Sequence, residues 1–286
     1  MATADGARPA RWWVPWVLLL PGVIWLVVFF VIPLVTLGRT SLEHGGLKNY
    51  SDVFSTNHVV VIRTFVYALV ATLLALVIGY PLAYFIAHRG GRAKNLLLAL
   101  VVLPFFTTYL IRTISWLIIL GSDGPLVHAM NSLHVMGIFK AIGLVGSNGQ
   151  ILQRAPAVVG ALTYNFLPFM VLPIYVSLEK VDKRLLEAGP DLYATGSRTF
   201  RKITLPLSLP GVFAGSLLTF IPAAGDFVNS ELLGSERTNM IGNIIERNFQ
   251  KEVFRPGISA LSFVLMAVIL IGVLIYARLL GTEDLL

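Results

Sequence analysis

Thr64 to Ala87 reads TFVYALVATLLALVIGYPLAYFIA, 24 residues without one charged side chain. The hydrocarbon core of a bilayer is about 30 Å thick and takes roughly 20 helical residues to cross, so this stretch alone can span it. It is continuously apolar rather than alternating, which excludes a barrel strand, because in lipid a single segment must bond its own backbone. Five further runs share this character: Trp12–Gly38, Asn95–Ser122 with Arg112 as the sole interruption, Ala155–Leu178, Ile203–Gly225 and Pro256–Ala277. They predict an all-α membrane protein of six transmembrane helices, at about residues 12–38, 60–87, 95–121, 155–178, 205–230 and 256–279, in a single membrane domain over 1–286. Pro21, Pro33, Pro104 and Pro168 mark expected kinks.

Composition agrees. The chain is 56% hydrophobic and 13% charged, whereas a soluble domain carries about 25% charged residues. An ordinary soluble enzyme is excluded, and so is a disordered chain, which needs low hydrophobicity. There is no cysteine, hence no disulfide framework or cysteine nucleophile. The formal charge of +7 reports topology rather than nucleic-acid binding. With the N-terminus inside, inner segments hold twelve Lys and Arg and outer segments eight, and the compact inner loop His88–Lys94 has three basic residues and no acidic one. Both termini are therefore expected in the cytoplasm of a multi-pass protein of a bacterial inner membrane. The first run is too long for a signal peptide, whose apolar core is roughly 7 to 15 residues.

Two outer segments are long, Asp123–Arg154 and Glu231–Arg255. In the first, Leu126, Met130, Leu133 and Gly137 fall on one helical face, which suggests a short helix along the outer membrane surface, or else a re-entrant segment. The inner loop at 179–204 mixes charges with Leu185, Leu186, Ala188 and Leu192, the pattern of an amphipathic helix, a turn and a second helix. Its apolar residues suit either the membrane surface or a partner protein.

Within that loop, Glu187-Ala188-Gly189-Pro190-Asp191-Leu192, then Thr199-Phe200, then Ile203-Thr204-Leu205-Pro206 through Pro210-Gly211, resembles the EAA loop, the signature of permease subunits of binding-protein-dependent ABC importers. The resemblance implies a type I importer permease fold. It implies coupling helices docking on a separate ATPase at Glu187, Ala188, Gly189, Asp191, Leu192, Thr199 and Phe200. The implied partners are a second permease subunit, two copies of an ATP-binding subunit carrying ATP and Mg, and an extracellular or periplasmic binding protein. No cofactor is expected in this chain itself, which has no G-x-x-x-x-G-K-[ST] phosphate loop. The loop departs from the family pattern at Gly189, Pro190 and Tyr193, the last where a glycine is usual. A proline inside a helix costs about 3 kcal/mol, so the first coupling helix is expected to end near Gly189, with Gly196 and Ser197 supplying a displaced turn and a new N-cap.

The wider chain resembles the spermidine/putrescine branch of these permeases, at Leu103-Pro104-Phe105-Phe106 through Arg112, Leu167-Pro168-Phe169-Met170 through Lys183, Gly225-Asp226-Phe227-Val228 through Gly234, and Met240-Ile241-Gly242-Asn243. Permeases for iron, sulfate and opines share the scaffold, and an ATP-independent secondary carrier is the reading from outside the class. Intramembrane charges are expensive and mark function or pairing. Arg63 sits at the outer end of its span, where snorkelling explains it. Thr108, Arg112 and Ser115 share a face by spacing, and Arg112 serves either an ion pair or a substrate. Thr219, Pro222, Asp226 and Asn229 give the fifth span a polar face, where Asp226 can hold a cationic amine or neutralise Arg112. Tyr80, Tyr84, Tyr109 and Tyr164 either line the path through cation–π attraction or pack as ordinary aromatics. His128 and His134 form no metal motif, and nothing resembles an enzyme's nucleophile with its base, so the chain is read as a transport subunit and not an enzyme.

Overall fold

The computed structural model describes residues 14–141, 143–146, 149–182, 184–187, 193–249 and 256–279. It holds six helical stretches long and apolar enough to cross a membrane: Trp16–Leu42, Lys48–Arg89, Tyr109–Ser132, Ala155–Glu179, Gly196–Gly225 and Pro256–Tyr276. The first stretch is α1 (Val14–Leu26) and α2 (Ile32–Leu42), joined by a π-helical turn at Val27–Val31. Helix α3 (Lys48–Arg89) runs on through Pro81. It is the central post of the bundle, with α8 (Ala155–Glu179) packed along it and α10 (Leu205–Gly225) packed on both.

Small residues set how closely these three approach. The buried face of α3 reads Val61, Thr64, Ala68, Ala71, Thr72, Ala75, Gly79, Ala83 and Ile86, a helical stripe with little side-chain bulk. A Cβ on Gly79 would meet Met170 Cγ at 3.2 Å. On α10, Gly211 and Gly215 lie four apart; a Cβ on Gly211 would sit 2.5 Å from the Pro173 carbonyl oxygen, and one on Gly215 would sit 2.9 Å from that of Met170. Backbone therefore meets backbone along the α8–α10 seam, which is how small-xxx-small pairs associate helices in lipid. The outward faces are the reverse of a soluble protein: Leu73, Val77 and Ile78 of α3 are all more than half exposed.

Two spans differ from the expectation of continuous helices. The third, expected over 95–121, is α4 (Lys94–Val102), a 3-10 turn at Leu103–Phe106, an extended pair at Thr107 and Thr108, and α5 (Tyr109–Leu120). Pro104 lies in the 3-10 turn, whereas Pro168 and Pro173 lie inside an unbroken α8. The fifth, expected over 205–230, ends at Gly225; Asp226 is extended, and α11 (Val228–Leu233) starts anew. The chain then passes through a 3-10 turn at Glu236–Thr238 and α12 (Ile241–Phe249) before α13 (Pro256–Leu279).

The outer segment forms α6 (Pro125–Ser132) and α7 (Met136–Ala141). Its buried face is Val127 and Met130, packed with Leu120, Val145, Ile151 and Leu233, and not the expected Leu126–Leu133 face, since Leu133 is exposed. The Gln153 N–H donates to the Leu233 carbonyl, tying this cap to α11.

Beyond the end of α8 a helical turn spans 184–187, and helix resumes at α9 (Gly196–Thr199), which continues through a π-helical turn at Phe200–Thr204 into α10. Helix at 184–187 and again from Gly196 falls inside the loop expected over 179–204, where two helical pieces are expected. The N-cap is Thr195, not Ser197. Tyr193 has φ +56°, so the usual glycine position keeps the left-handed backbone that a glycine favours. Lys94 pairs with Glu179 at 2.5 Å, tying the start of α4 to the end of α8, and that carboxylate holds the Lys94 ammonium above the ordinary lysine pKa.

Candidate functional site

The two helix breaks meet. Tyr109, the first residue of α5, donates its hydroxyl to Asp226 Oδ2, at the residue where α10 stops. Asp226 Oδ1 accepts the Asn229 backbone N–H at 2.9 Å, the bond of an aspartate capping a new helix. Asn229 Nδ2 donates back to the Tyr109 oxygen at 2.6 Å. Its Oδ1 accepts from Thr113 Oγ1 at 3.1 Å and from Asn165 Nδ2 at 3.2 Å. The cluster draws α5, α8, α10 and α11 to one point. Asp226 is 8% exposed, and Asn229, Thr113 and Asn165 are at most 1% exposed.

Its depth follows from helix geometry. Asn165 comes ten residues after Ala155, the first of α8, about 15 Å along the axis at 1.5 Å per residue. That is near the middle of a span. Irregular backbone at such depth is tolerated only when it is buried in protein or lines a cavity. The segment after the break is held accordingly. Asn243 Nδ2 donates to the Phe227 carbonyl at 3.0 Å and to Glu231 Oε2 at 2.8 Å, and its Oδ1 accepts from the Met240 N–H and the Ser230 hydroxyl. The Ile241 N–H donates to Thr64 Oγ1 of α3 at 2.9 Å. Gly242 lies against the break, where a Cβ would meet Phe227 Cβ at 3.0 Å and the Asp226 carbonyl oxygen at 3.1 Å.

The structure sorts the residues singled out from the sequence. Tyr109, Asp226 and Asn229 come together, although the expected single helical face through Thr219 and Pro222 is interrupted at Asp226. Arg112 adjoins them, its guanidinium over the rings of Phe105 at 5.2 Å and Tyr109 at 5.5 Å. Its Nε and Nη1 are buried without a hydrogen-bond partner. The expected face through Thr108 and Ser115 is not shared: Thr108 is the extended cap of α5, and Ser115 is exposed and bonded to the Ile111 carbonyl. Arg63 donates to the Arg237 carbonyl oxygen. Tyr164 lies away from the cluster, edge-on to Trp116 at 5.5 Å. Tyr84 lies toward the C-terminal end of α3, stacked on His88 at 4.5 Å and edge-on to Phe200 at 6.0 Å.

Among the coupling residues, Glu187 is exposed at the end of its helical turn, while Ala188, Gly189, Asp191 and Leu192 lie outside the described residues. Thr199 is buried and Phe200 half-buried against Tyr80 and Tyr84, so these two lean inward on α3. The sequence search passed over Thr113 and Asn165. Both are uncharged polar residues in apolar spans, and a survey for charges is blind to them. Among the described residues no cluster of His, Asp or Glu is arranged to hold a metal.

Comparison with known proteins places this architecture. Residues 77–281 match the family model for the binding-protein-dependent transport system inner membrane component. The spermidine/putrescine transport system permease protein PotB of Escherichia coli K12 is 36% identical over 265 residues, covering 89% of this chain and 93% of that one. A bacterial ABC transporter involved in import of the acidic polysaccharide alginate shares the fold at TM-score 0.70 and 20% identity, over 94% of this chain and 95% of its own. The alginate transporter in complex with its alginate pentasaccharide-bound periplasmic protein matches at TM-score 0.67 and 19% identity, over 93% of both chains. The chain is a multi-pass inner-membrane transport subunit and belongs to the binding-protein-dependent transport system inner membrane component family.

Proposed function

We propose that this chain is one permease subunit of an ATP-driven importer of polyamines, spermidine or putrescine, and that Asp226 lies on the translocation path. The observation that carries the reading is Asp226 itself, a carboxylate near mid-membrane, at the junction of two broken helices, with no ion-pair partner among the described residues. An ionised group at such depth is expensive and implies a cation to meet it. Discontinuous helices meeting at the midplane are a recurrent way to build a solute site in transporters. The PotB relative, named for spermidine/putrescine transport, supports the same class of cargo.

In this reading a second permease chain completes the path, and two ATP-binding subunits with ATP and Mg drive it. A binding protein delivers the solute from outside, and both termini are cytoplasmic. Glu187, Ala188, Gly189, Asp191 and Leu192 would meet the ATPase, with Thr199 and Phe200 passing the movement to α3. The unpartnered guanidinium of Arg112 favours a second reading, an importer of an anionic solute. Arg63 would join it: one nitrogen donates to the Arg237 carbonyl, while its Nε is buried without a partner.

Uptake of labelled spermidine by cells lacking this chain, with and without the gene restored, tests the reading, before and after ATP depletion that preserves the membrane potential. Restored uptake that stops on depletion is expected. Restored uptake that survives depletion would indicate a secondary carrier. Correct insertion with no restored uptake would remove polyamines as cargo.

A further inference from the structure

Two buried polar atoms beside the Asp226 cluster have no hydrogen-bond partner: Asn165 Oδ1 on α8 and Thr219 Oγ1 on α10. Their residues are 1% and 0% exposed. Nearly every buried polar group in a folded protein is satisfied, and a buried orphan is unfavourable by the desolvation of that group. Asn165 already uses its Nδ2 on Asn229, so its free atom is an acceptor. Thr219 does not make the bond to the preceding turn that Thr64, Thr72, Thr113 and Thr163 make.

The helix seam brings the two to one level. A Cβ on Gly211 would touch Ile174 and one on Gly215 would touch Met170, so four residues up α10 correspond to four residues back along α8. The next step of that register sets Thr219 opposite Phe166, one residue from Asn165. The two orphans therefore stand at about the same level of the α8–α10 pair, and Asn165 belongs to the cluster whose acid has no ion-pair partner among the described residues.

We propose that Asn165 and Thr219 form a second amine-recognition point, accepting N–H groups of a protonated amine whose charge is held by Asp226. The inference rests on the polyamine reading and deepens it, from the charge that attracts the solute to the neutral acceptors that orient it. A carbonyl oxygen and a hydroxyl suit ammonium hydrogens, which need acceptors beyond one carboxylate. Neither atom neutralises the solute's charge, so the point reads hydrogen-bond geometry and leaves the cation free to move on.

Thr219→Val tests this, because it removes an unpartnered hydroxyl at constant shape. If the hydroxyl were structural only, its loss would leave uptake intact. The complete transporter, with its partner permease, ATPase and binding protein, is reconstituted in vesicles and spermidine uptake is measured beside thermal unfolding. The expected result is uptake reduced about tenfold, as for loss of one hydrogen bond to a charged donor, with an unchanged or higher Tm, and recovery in Thr219→Ser. Asn165→Leu should lose uptake further. Spermidine uptake by the unaltered transporter together with undiminished uptake by Thr219→Val would overturn the second point alone. Loss in both Thr219→Val and Thr219→Ser would also overturn it, since the hydroxyl is then not what matters. Absence of uptake by the unaltered transporter would overturn the polyamine reading, and this inference with it.

Discussion

The chain leaves regular helix in two places that matter, the mid-depth break around Asp226 and the loop before Gly196, and it treats them differently. At the break, side chains catch the loosened backbone: Asp226 caps Asn229, Asn243 bonds Phe227 and Met240, and Thr64 bonds Ile241. In the loop, the Asp182 carboxylate bonds the Arg184 N–H at 2.9 Å, Glu187 stands exposed, and Tyr193 is 97% exposed. The loop residues Glu187 and Tyr193 are open to solvent, whereas Asp226 is 8% exposed and Asn229 fully buried. Irregular backbone inside the bilayer must be satisfied by the protein's own groups, whereas irregular backbone in water is satisfied by solvent. The buried break is consequently built to hold a geometry, whereas the loop leaves its side chains open to solvent.

The sharpest way to break this contrast is Asp226→Leu, which orphans the Tyr109 hydroxyl and the Asn229 N–H together. Thermal or denaturant unfolding of the purified complex should register a loss of about 4 kcal/mol, at about 2 kcal/mol for each buried donor left unpaired. The matching change in the loop, Asp182→Ala, should fall within about 0.5 kcal/mol. Equal effects would mean that the break is no better insulated than the loop. Asp226→Asn separates charge from scaffold: the complex should assemble while spermidine uptake falls at least tenfold, as expected for loss of an ionic partner. Tyr109→Phe deletes only the hydroxyl between Asp226 and Asn229, and a drop of about 2 kcal/mol in the same unfolding assay is expected. The smallest effect has the opposite sign. Tyr193→Gly removes a side chain from a left-handed residue that buries almost nothing, so stability should rise by about 1 kcal/mol. A fall would mean that the tyrosine makes contacts of its own.

These differences also explain what the sequence made legible. Uncharged length revealed the spans, because lipid selects for it along the whole chain. It could not reveal the break at Thr107–Thr108 or at Asp226, since a segment stays apolar whether its helix continues or stops. Proline is an uneven marker: Pro104 sits in the turn that breaks the third span, whereas Pro168 and Pro173 sit inside a continuous α8. What decides is whether nearby side chains take up the freed backbone groups, and those lie far away in sequence: Asp226 is 117 residues from Tyr109. Asp226 was visible as a rare intramembrane charge and Asn229 by its spacing from it. Asn165 was invisible because an amide among Phe and Leu looks unremarkable until its carbonyl is found buried and unbonded. The glycine position at Tyr193 was readable through the family resemblance, and its positive φ belongs to that one residue.

The helix from Gly196 to Gly225 has a mechanical consequence. It runs 30 residues through the π-helical turn at Phe200–Thr204, about 45 Å at 1.5 Å per residue, with the loop before Gly196 at one end and Asp226 at the other. Between them, Gly211 and Gly215 bring the backbone of α10 close against that of α8 at Pro173, Ile174 and Met170. A stiff rod pinned part-way along its length behaves as a lever with that seam as fulcrum. In a rod so pinned, displacement of the arm before the seam reappears reversed in the arm beyond it, where Asp226 lies.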